Sequence, residues 1–200
     1  MSRYLPVVMI TAASMAGLSE RMTPSSLPVA IQRGAQTAPE AFTCQAQART
    51  SAAGSATNFR IQIDRYIAEV DRKTITDALT HGGYPALVNA LRQAPAIGQI
   101  QLGGKDFAIR WAREQNVGKG RAITVVTATP VYFLGGGRLD AKPREGFELA
   151  VVQFTVDEVG MGAGTMAAAA RVKPDGRGGV VLDDYADEPI KLTFVKREIS

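Results

Sequence analysis

Residues 69–95, EVDRKTITDALTHGGYPALVNALRQAP, interrupt a chain whose other patterned segments alternate in the manner of β-strands. Apolar residues up to Leu79 fall near the 3.6-residue spacing of a helix, and the Gly82-Gly83 pair can take the left-handed conformation that ends one. Pro85 then suits the first turn of a second helix. The stretch therefore predicts two helices that meet at the glycine pair.

The ends of these helices carry further signals. Asp71 offers an N-cap to the first helix, and Pro95 ends the second. His81, the only histidine of the chain, falls in the last turn of the first helix, four residues after Asp77. An Asp-His pair is geometrically allowed there. A single histidine excludes a multi-histidine metal site, and no Ser or Cys lies in a recognisable nucleophile setting, so we expect a helix-end histidine rather than a catalytic one.

The segments on both sides of this stretch alternate with a period of two. FTCQAQART and NFRIQIDRY predict a hairpin across the small, polar SAAGSAT, and a series of short alternating segments follows Pro95. Turn formers separate them, with too few residues for helical crossovers. We predict an α+β fold: an antiparallel β-meander sheet or partly closed barrel of about eight or nine strands, with one helical hairpin inserted after strand 2.

Two neighbouring strands differ in the size of their side chains. TMAAAAR, residues 165–171, places alanine on both faces, whereas FELAVVQF, residues 147–154, is bulky on both. Something must pack closely over the alanines, or a cavity must open beside them. We expect the helical pair to cover them, and a ligand cavity is the alternative.

Two single side chains are predicted to lie in the core. Cys44 is the only cysteine, which excludes an intramolecular disulfide, and it shares the face of its strand with Phe42. Trp111 alternates with Ile109, which places both on one buried face and Arg110 on the opposite one.

The N-terminus has the organisation of an export signal. Arg3 precedes an apolar run over residues 5–13, and small residues follow at a cleavage point after Ala16. We predict a signal peptide over residues 1–16, a flexible leader over 17–40 and a single α+β domain over 41–200, secreted or periplasmic. A disordered or buried N-terminal segment is the alternative.

Composition limits the classes of partner. The 200 residues are 46% hydrophobic and 21% charged, which suits one globular domain. The net charge of +4 comes from interspersed residues without a run of four Lys or Arg, so we predict no nucleic-acid partner. No later segment approaches the roughly 20 apolar residues of a membrane span, and no motif predicts a cofactor.

The loop GGGRLDAKPREG, residues 135–146, is rich in glycine but lacks the Gly-Lys-Ser/Thr ending of a phosphate-binding loop. Such a segment between strands is typical of a long hairpin loop. Its cations make it the best candidate for contact with an acidic ligand or partner. The predicted binding residues are Arg138, Lys142 and Arg144, together with the strand residue Arg110.

A carboxylate group near the C-terminus is a candidate for metal binding or acid-base chemistry, because both tasks need adjacent carboxyl oxygens. Its members are Asp183, Asp184, Asp187 and Glu188. The spacing does not match an EF-hand loop, and Pro189 restarts a strand directly after them. We therefore predict a hairpin turn, with no metal site and no catalytic residue.

Taken together, the export signal, the FxIxIxR strand from Phe59 to Arg65, the helices joined by Gly-Gly and the closing PIKLTFVKRE at residues 189–198 resemble a group of exported bacterial proteins of unknown function. The resemblance covers roughly residues 41–198. It implies export and a single domain, and it implies no functional residues.

These observations favour an exported, non-enzymatic binding or interaction domain, whose partner is an unknown protein or small molecule. Two alternatives stay open. One is a small-molecule carrier with an alanine-lined cavity, and the other is a carboxylate-dependent hydrolase. A well-formed pocket with convergent polar groups would favour the carrier, and two carboxyls facing each other across a cleft would favour the hydrolase.

Overall fold

The computed structural model describes residues 39–47, 56–132 and 144–198 of the unit Arg33–Ser200. The predicted signal peptide and all but the end of the predicted leader lie outside the described residues. Described elements comprise one helix and nine strands, in the order β1 (Glu40–Gln47), β2 (Ala56–Ile63), α1 (Glu69–Gln93), β3 (Gly98–Leu102), β4 (Lys105–Val117), β5 (Gly120–Thr127), β6 (Leu149–Val156), β7 (Met161–Pro174), β8 (Val180–Tyr185) and β9 (Ile190–Arg197).

The strands form a closed antiparallel barrel. Pairing runs β6-β5-β4-β3-β2-β1-β9-β7, and an additional β6–β7 pairing closes the ring, leaving β8 as the extra strand. β7 is long enough to pair with two strands along different parts of its length. Residues 161–166 pair with β9, and residues 170–174 pair with β8. The predicted antiparallel architecture is confirmed, and the barrel is closed rather than partly closed.

Side chains from every barrel strand fill the interior, as expected for a barrel of eight strands. Phe42 and Cys44 are both fully buried there, and the Phe42 ring meets Phe154 edge-on with centroids 5.0 Å apart. Burial raises the pKa of the Cys44 thiol to about 12. The predicted core position of Cys44 is confirmed, and its thiol is in the unreactive, protonated form.

Helix α1 follows β2, as predicted, and is broken at Gly83, whose φ of 68° and ψ of −168° are not helical. The predicted break is confirmed, but the helical hairpin is wrong, because a single residue joins the two halves. Asp71 is not the N-cap either. The backbone N–H of Ile67 donates to the carbonyl of Ala112 at 2.9 Å, which fixes the chain directly before the helix. The helix therefore begins at Glu69, and Ala68 is its N-cap residue.

Both halves of α1 pack on the outside of the barrel. Ile75, Leu87 and Leu91 lie in a second core cluster with residues of β4 to β8. The alanines at residues 167–170 are at most 3% exposed. Ala167 and Ala170 lie in the cluster with the helix, so the predicted cover by the helix is confirmed for these two alanines. In the described part of the chain, no helix combines the length and hydropathy that a membrane span requires.

A β-bulge changes the faces of β4. Ile109 pairs with Thr127 and Trp111 with Val126, so Arg110 is an extra residue between them. Ile109 consequently belongs to the barrel interior, whereas Trp111, 1% exposed, belongs to the cluster under α1. The predicted burial of Trp111 is confirmed, and its predicted shared face with Ile109 is wrong.

Candidate functional site

A cleft of about 380 Å³ lies between the second half of α1 and the segment that leads into β6. This volume is within the range of roughly 300–1,000 Å³ that is typical of small-molecule sites. The lining consists of Tyr84, Pro85, Val88, Asn89 and Arg92 from α1, Glu145, Gly146 and Glu148 from the segment before β6, and Arg171 from β7.

Tyr84 joins the walls of this cleft. It directly follows the break at Gly83, and its hydroxyl donates to the carbonyl of Ala170 at 3.1 Å while accepting the backbone N–H of Glu148 at 3.0 Å. Burial, followed by the nearby Glu148 carboxylate, raises the pKa of Tyr84 well above its ordinary value. The hydroxyl therefore stays protonated and holds the helix, β7 and the segment before β6 together.

Glu148 carries an unsatisfied oxygen. Its Oε1 accepts the backbone N–H of Gly146 at 3.0 Å. Its Oε2 is buried, and it is the only buried side-chain oxygen or nitrogen in the described ranges without a hydrogen-bond partner. Leaving a buried acceptor unpaired costs about 1–3 kcal/mol.

The two guanidinium groups of the cleft differ in their partners. Arg171 Nε donates to Asp183 Oδ2 at 3.3 Å, and the Arg171 guanidinium lies 5.9 Å from the Phe147 ring centroid. Arg92 is exposed in the last turn of α1 and forms no ion pair with any residue that the structure describes. Arg92 is therefore the cation that is available to a bound molecule.

Two of the four predicted binding residues, Arg144 and Arg110, lie in the described part of the chain. Arg144 lies near the cleft, with its guanidinium 5.8 Å from the Phe147 ring and Nη1 donating to the carbonyl of Ala186 at 3.4 Å, so it orders the segment before β6. Arg110 Nη1 donates to the carbonyl of Ala94 at 2.6 Å and anchors the end of α1. Arg138 and Lys142 lie outside the described residues.

The predicted carboxylate group is divided between a strand and a turn. Asp187 and Glu188 lie in the connection from β8 to β9, as predicted, but the prediction is wrong for Asp183 and Asp184, which lie in β8 and pair with β7. Asp183 is shared between Arg171 and Lys173, whose Nζ lies 3.3 Å from Asp183 Oδ1, and Asp184 Oδ2 lies 3.9 Å from Arg171 Nη2. Their charges are thus compensated by cations of β7. Among the described residues, no group of three or more His, Cys, Asp or Glu side chains is placed to hold a metal ion.

His81 is exposed on the helix surface. Its Nδ1 lies 2.9 Å from the backbone carbonyl oxygen of Asp77, and Lys73 Nζ, 2.6 Å from Asp77 Oδ2, takes the carboxylate instead. The Asp-His pair allowed by the spacing therefore does not form. His81 is not among the residues that line the cleft.

Sequence reasoning missed the residues that build the cleft. One signal was present: Glu148 is a charged residue directly before the apolar run LAVV, where a carboxylate needs a specific partner. Tyr84 gave a weaker signal, because an aromatic residue beside a helix break is equally typical of simple packing. Arg92 gave none, because surface arginines are common in the last turn of helices.

The Tyr84 hydroxyl is engaged by two backbone groups. Among the described residues of the lining there is no Ser, Thr, Cys, His or Lys. The exposed side chains of Asn89 and Arg92 face a bound molecule directly. No family model, curated protein or solved structure matches the chain.

Proposed function

We propose that this protein is a non-enzymatic binding domain that holds a small polar ligand in the cleft beside Tyr84. The observation that carries the proposal is a cleft of about 380 Å³, in which the exposed Arg92 guanidinium has no ion-pair partner among the described residues. A convergent polar group in a partly apolar cleft is the usual composition of a ligand site.

The two alternatives receive less support. A carrier that used an alanine-lined cavity would need space beside residues 167–170, and all four alanines are at most 3% exposed. A hydrolase that used Asp183 or Asp184 would need carboxyls free to exchange protons, and both face cations of β7. The Tyr84 cleft, by contrast, has a volume of about 380 Å³.

The test is native mass spectrometry of the protein purified from the organism that encodes it. Asn89 is exposed and lines the cleft, so Asn89→Trp should fill it without changing the core. Gln93 is exposed one helical turn later and does not line the cleft, so Gln93→Trp is the matched control. We expect a small molecule retained by the wild type and by Gln93→Trp, and lost from Asn89→Trp. A wild type without adduct, or an adduct that survives Asn89→Trp, would contradict the proposal.

A further inference from the structure

The turn of the β7–β8 hairpin carries a dipeptide with chemistry of its own. Asp175-Gly176 is the only Asp-Gly pair of the chain, and the chain has no Asn-Gly pair. The backbone nitrogen of such a glycine can bond to Cγ of the preceding carboxyl group, because glycine has no side chain to hinder the approach. One carboxyl oxygen leaves as water, and a succinimide ring forms. Hydrolysis at the ring carbonyl next to Cα then takes up water and leaves isoaspartate.

The attacking nitrogen is unobstructed in the folded protein. Gly176 is exposed, and a Cβ at this position would have no atom within 4 Å. In the described part of the chain, its backbone N–H donates to no acceptor. The carboxyl group of Asp175 therefore controls whether the ring can form.

Three contacts hold this carboxyl group. Oδ1 of Asp175 accepts the backbone N–H groups of Arg177 and Gly179, both at 2.7 Å, and Oδ2 lies 3.2 Å from Arg113 Nη1. Ring closure brings Cγ to bonding distance of the Gly176 nitrogen, which changes the torsion angles that these contacts fix. The contacts also favour the charged carboxylate, which is a poorer electrophile than the protonated group.

Arg113 of β4 holds the turn in two further ways. Its Nη2 donates to the carbonyl of Arg177 at 3.4 Å. A Cβ on Gly179 would lie 2.2 Å from Arg113 Nη1 and 2.4 Å from Asp175 Oδ2, so both charged groups pack directly against that glycine. Arg113 is thus the side chain from outside the hairpin that keeps the Asp175 carboxyl group in place.

We propose that Asp175 is a latent site of isoaspartate formation, which reacts with Gly176 when the turn opens and is protected while Arg113 holds the turn closed. In the product, a methylene group has joined the main chain and the free carboxylate is bonded directly to Cα. The three contacts of Asp175 are therefore lost together, and the β7–β8 hairpin is released from β4.

The reaction can be followed because isoaspartate changes chromatographic retention and leaves the mass unchanged. Trypsin releases residues 172–177 as one peptide, since Pro174 blocks cleavage after Lys173. Samples are aged at about pH 6, where a small fraction of an ordinary carboxyl is still protonated. We expect the folded wild type to form isoaspartate at Asp175 at least about tenfold more slowly than the urea-unfolded wild type, because the turn must open first.

Variants test the role of Arg113. Folded Arg113→Gln should react at least about threefold faster than folded wild type. Arg65→Gln is the matched control, because it removes a guanidinium that lies 3.8 Å from another aspartate, Asp71. Ile61→Val is a second control, which lowers the stability of the barrel as a whole through a fully buried side chain. Both controls should react like the wild type.

Hydrogen exchange tests the consequence. The backbone amides of Arg177 and Gly179 should exchange faster in the isoaspartyl form than in fresh protein, because both have lost their acceptor.

Four results would each overturn the proposal. They are equal rates in folded and unfolded wild type, no isoaspartate at Asp175 in the unfolded chain, an Arg113→Gln rate no higher than that of Ile61→Val, and unchanged exchange at the two amides.

Discussion

Gly83 is the residue on which the position of the cleft depends. Its φ of 68° and ψ of −168° lie in a region that is almost exclusive to glycine. A Cβ at this position would have room, with Pro85 Cδ the nearest atom at 3.9 Å, so the requirement is one of backbone conformation and not of space. The conformation redirects the helix immediately before Tyr84, which then reaches β7.

Replacing Gly83 with Val should therefore lower the free energy of unfolding by about 1–3 kcal/mol, the usual cost of a side chain in this region. His81→Gln, two residues away on the exposed surface, should change it by about 0.5 kcal/mol or less. Urea denaturation of both variants provides the measurement. A His81 variant as unstable as the Gly83 variant would show that the histidine has a role that its exposure does not suggest.

At the scale of elements, Asp175 fastens the β7–β8 hairpin to the barrel. Its Oδ1 accepts the backbone N–H groups of Arg177 and Gly179, both at 2.7 Å, and its Oδ2 pairs with Arg113 of β4 at 3.2 Å. Burial by itself raises the pKa of Asp175, but these hydrogen bonds and the Arg113 charge outweigh it and bring the pKa below its ordinary 3.8. The folded state therefore favours the charged carboxylate.

A depressed pKa contributes stability above the ordinary value of the carboxyl, and that stability is lost as the pH falls through the lower, folded-state value. Asp175→Asn should accordingly lower the free energy of unfolding by about 1 kcal/mol at pH 7. The difference from wild type should shrink below pH 3.8. Thermal or urea denaturation across pH 2–7 (about 0.5-unit steps suffice to resolve the transition) provides the measurement.

The control for this experiment is Asp106→Asn at an exposed position of β4, which should change stability by about 0.5 kcal/mol or less at every pH. A difference between wild type and Asp175→Asn that is constant from acid to neutral pH would show that the carboxylate charge does not hold the hairpin.

At the scale of the whole molecule, closure of the barrel depends on how closely β7 approaches β6. A Cβ on Gly162 would lie 1.7 Å from the carbonyl oxygen of Thr155, and one on Gly164 would lie 2.2 Å from that of Gln153. Only glycine allows this approach. The end of the barrel is further tied by Arg121, whose Nη2 lies 3.0 Å from Glu40 Oε1.

Export is a prediction about the whole molecule that rests on residues 1–16 alone. Because signal peptides are removed after translocation, intact-mass measurement of the secreted or periplasmic fraction should show a chain that begins near Gly17. Full-length protein found solely in the cytoplasm would show that the segment is not an export signal.

Several features of the fold followed from local patterns. Alternation predicted nearly every strand and the burial of Cys44, and the Gly-Gly pair predicted the break in α1, because side-chain periodicity and backbone preference act over a few neighbouring residues. Hairpin spacing likewise predicted antiparallel pairing and the place of the helix after β2.

Other features depended on contacts between distant residues. The bulge at Arg110 depends on the register between β4 and β5. Because of this bulge, the Trp111 side chain lies on the outer face of the barrel, buried under α1, and not in the barrel interior. Closure depends on the β6–β7 pairing as part of the complete ring. The cleft joins Tyr84 to Glu148, 64 residues away, and the unsatisfied oxygen of Glu148 is a property of the packed structure. A sequence specifies which side chains can donate or accept hydrogen bonds, but only the tertiary structure decides which of them remain without a partner, because burial and partner distance are set by the whole fold.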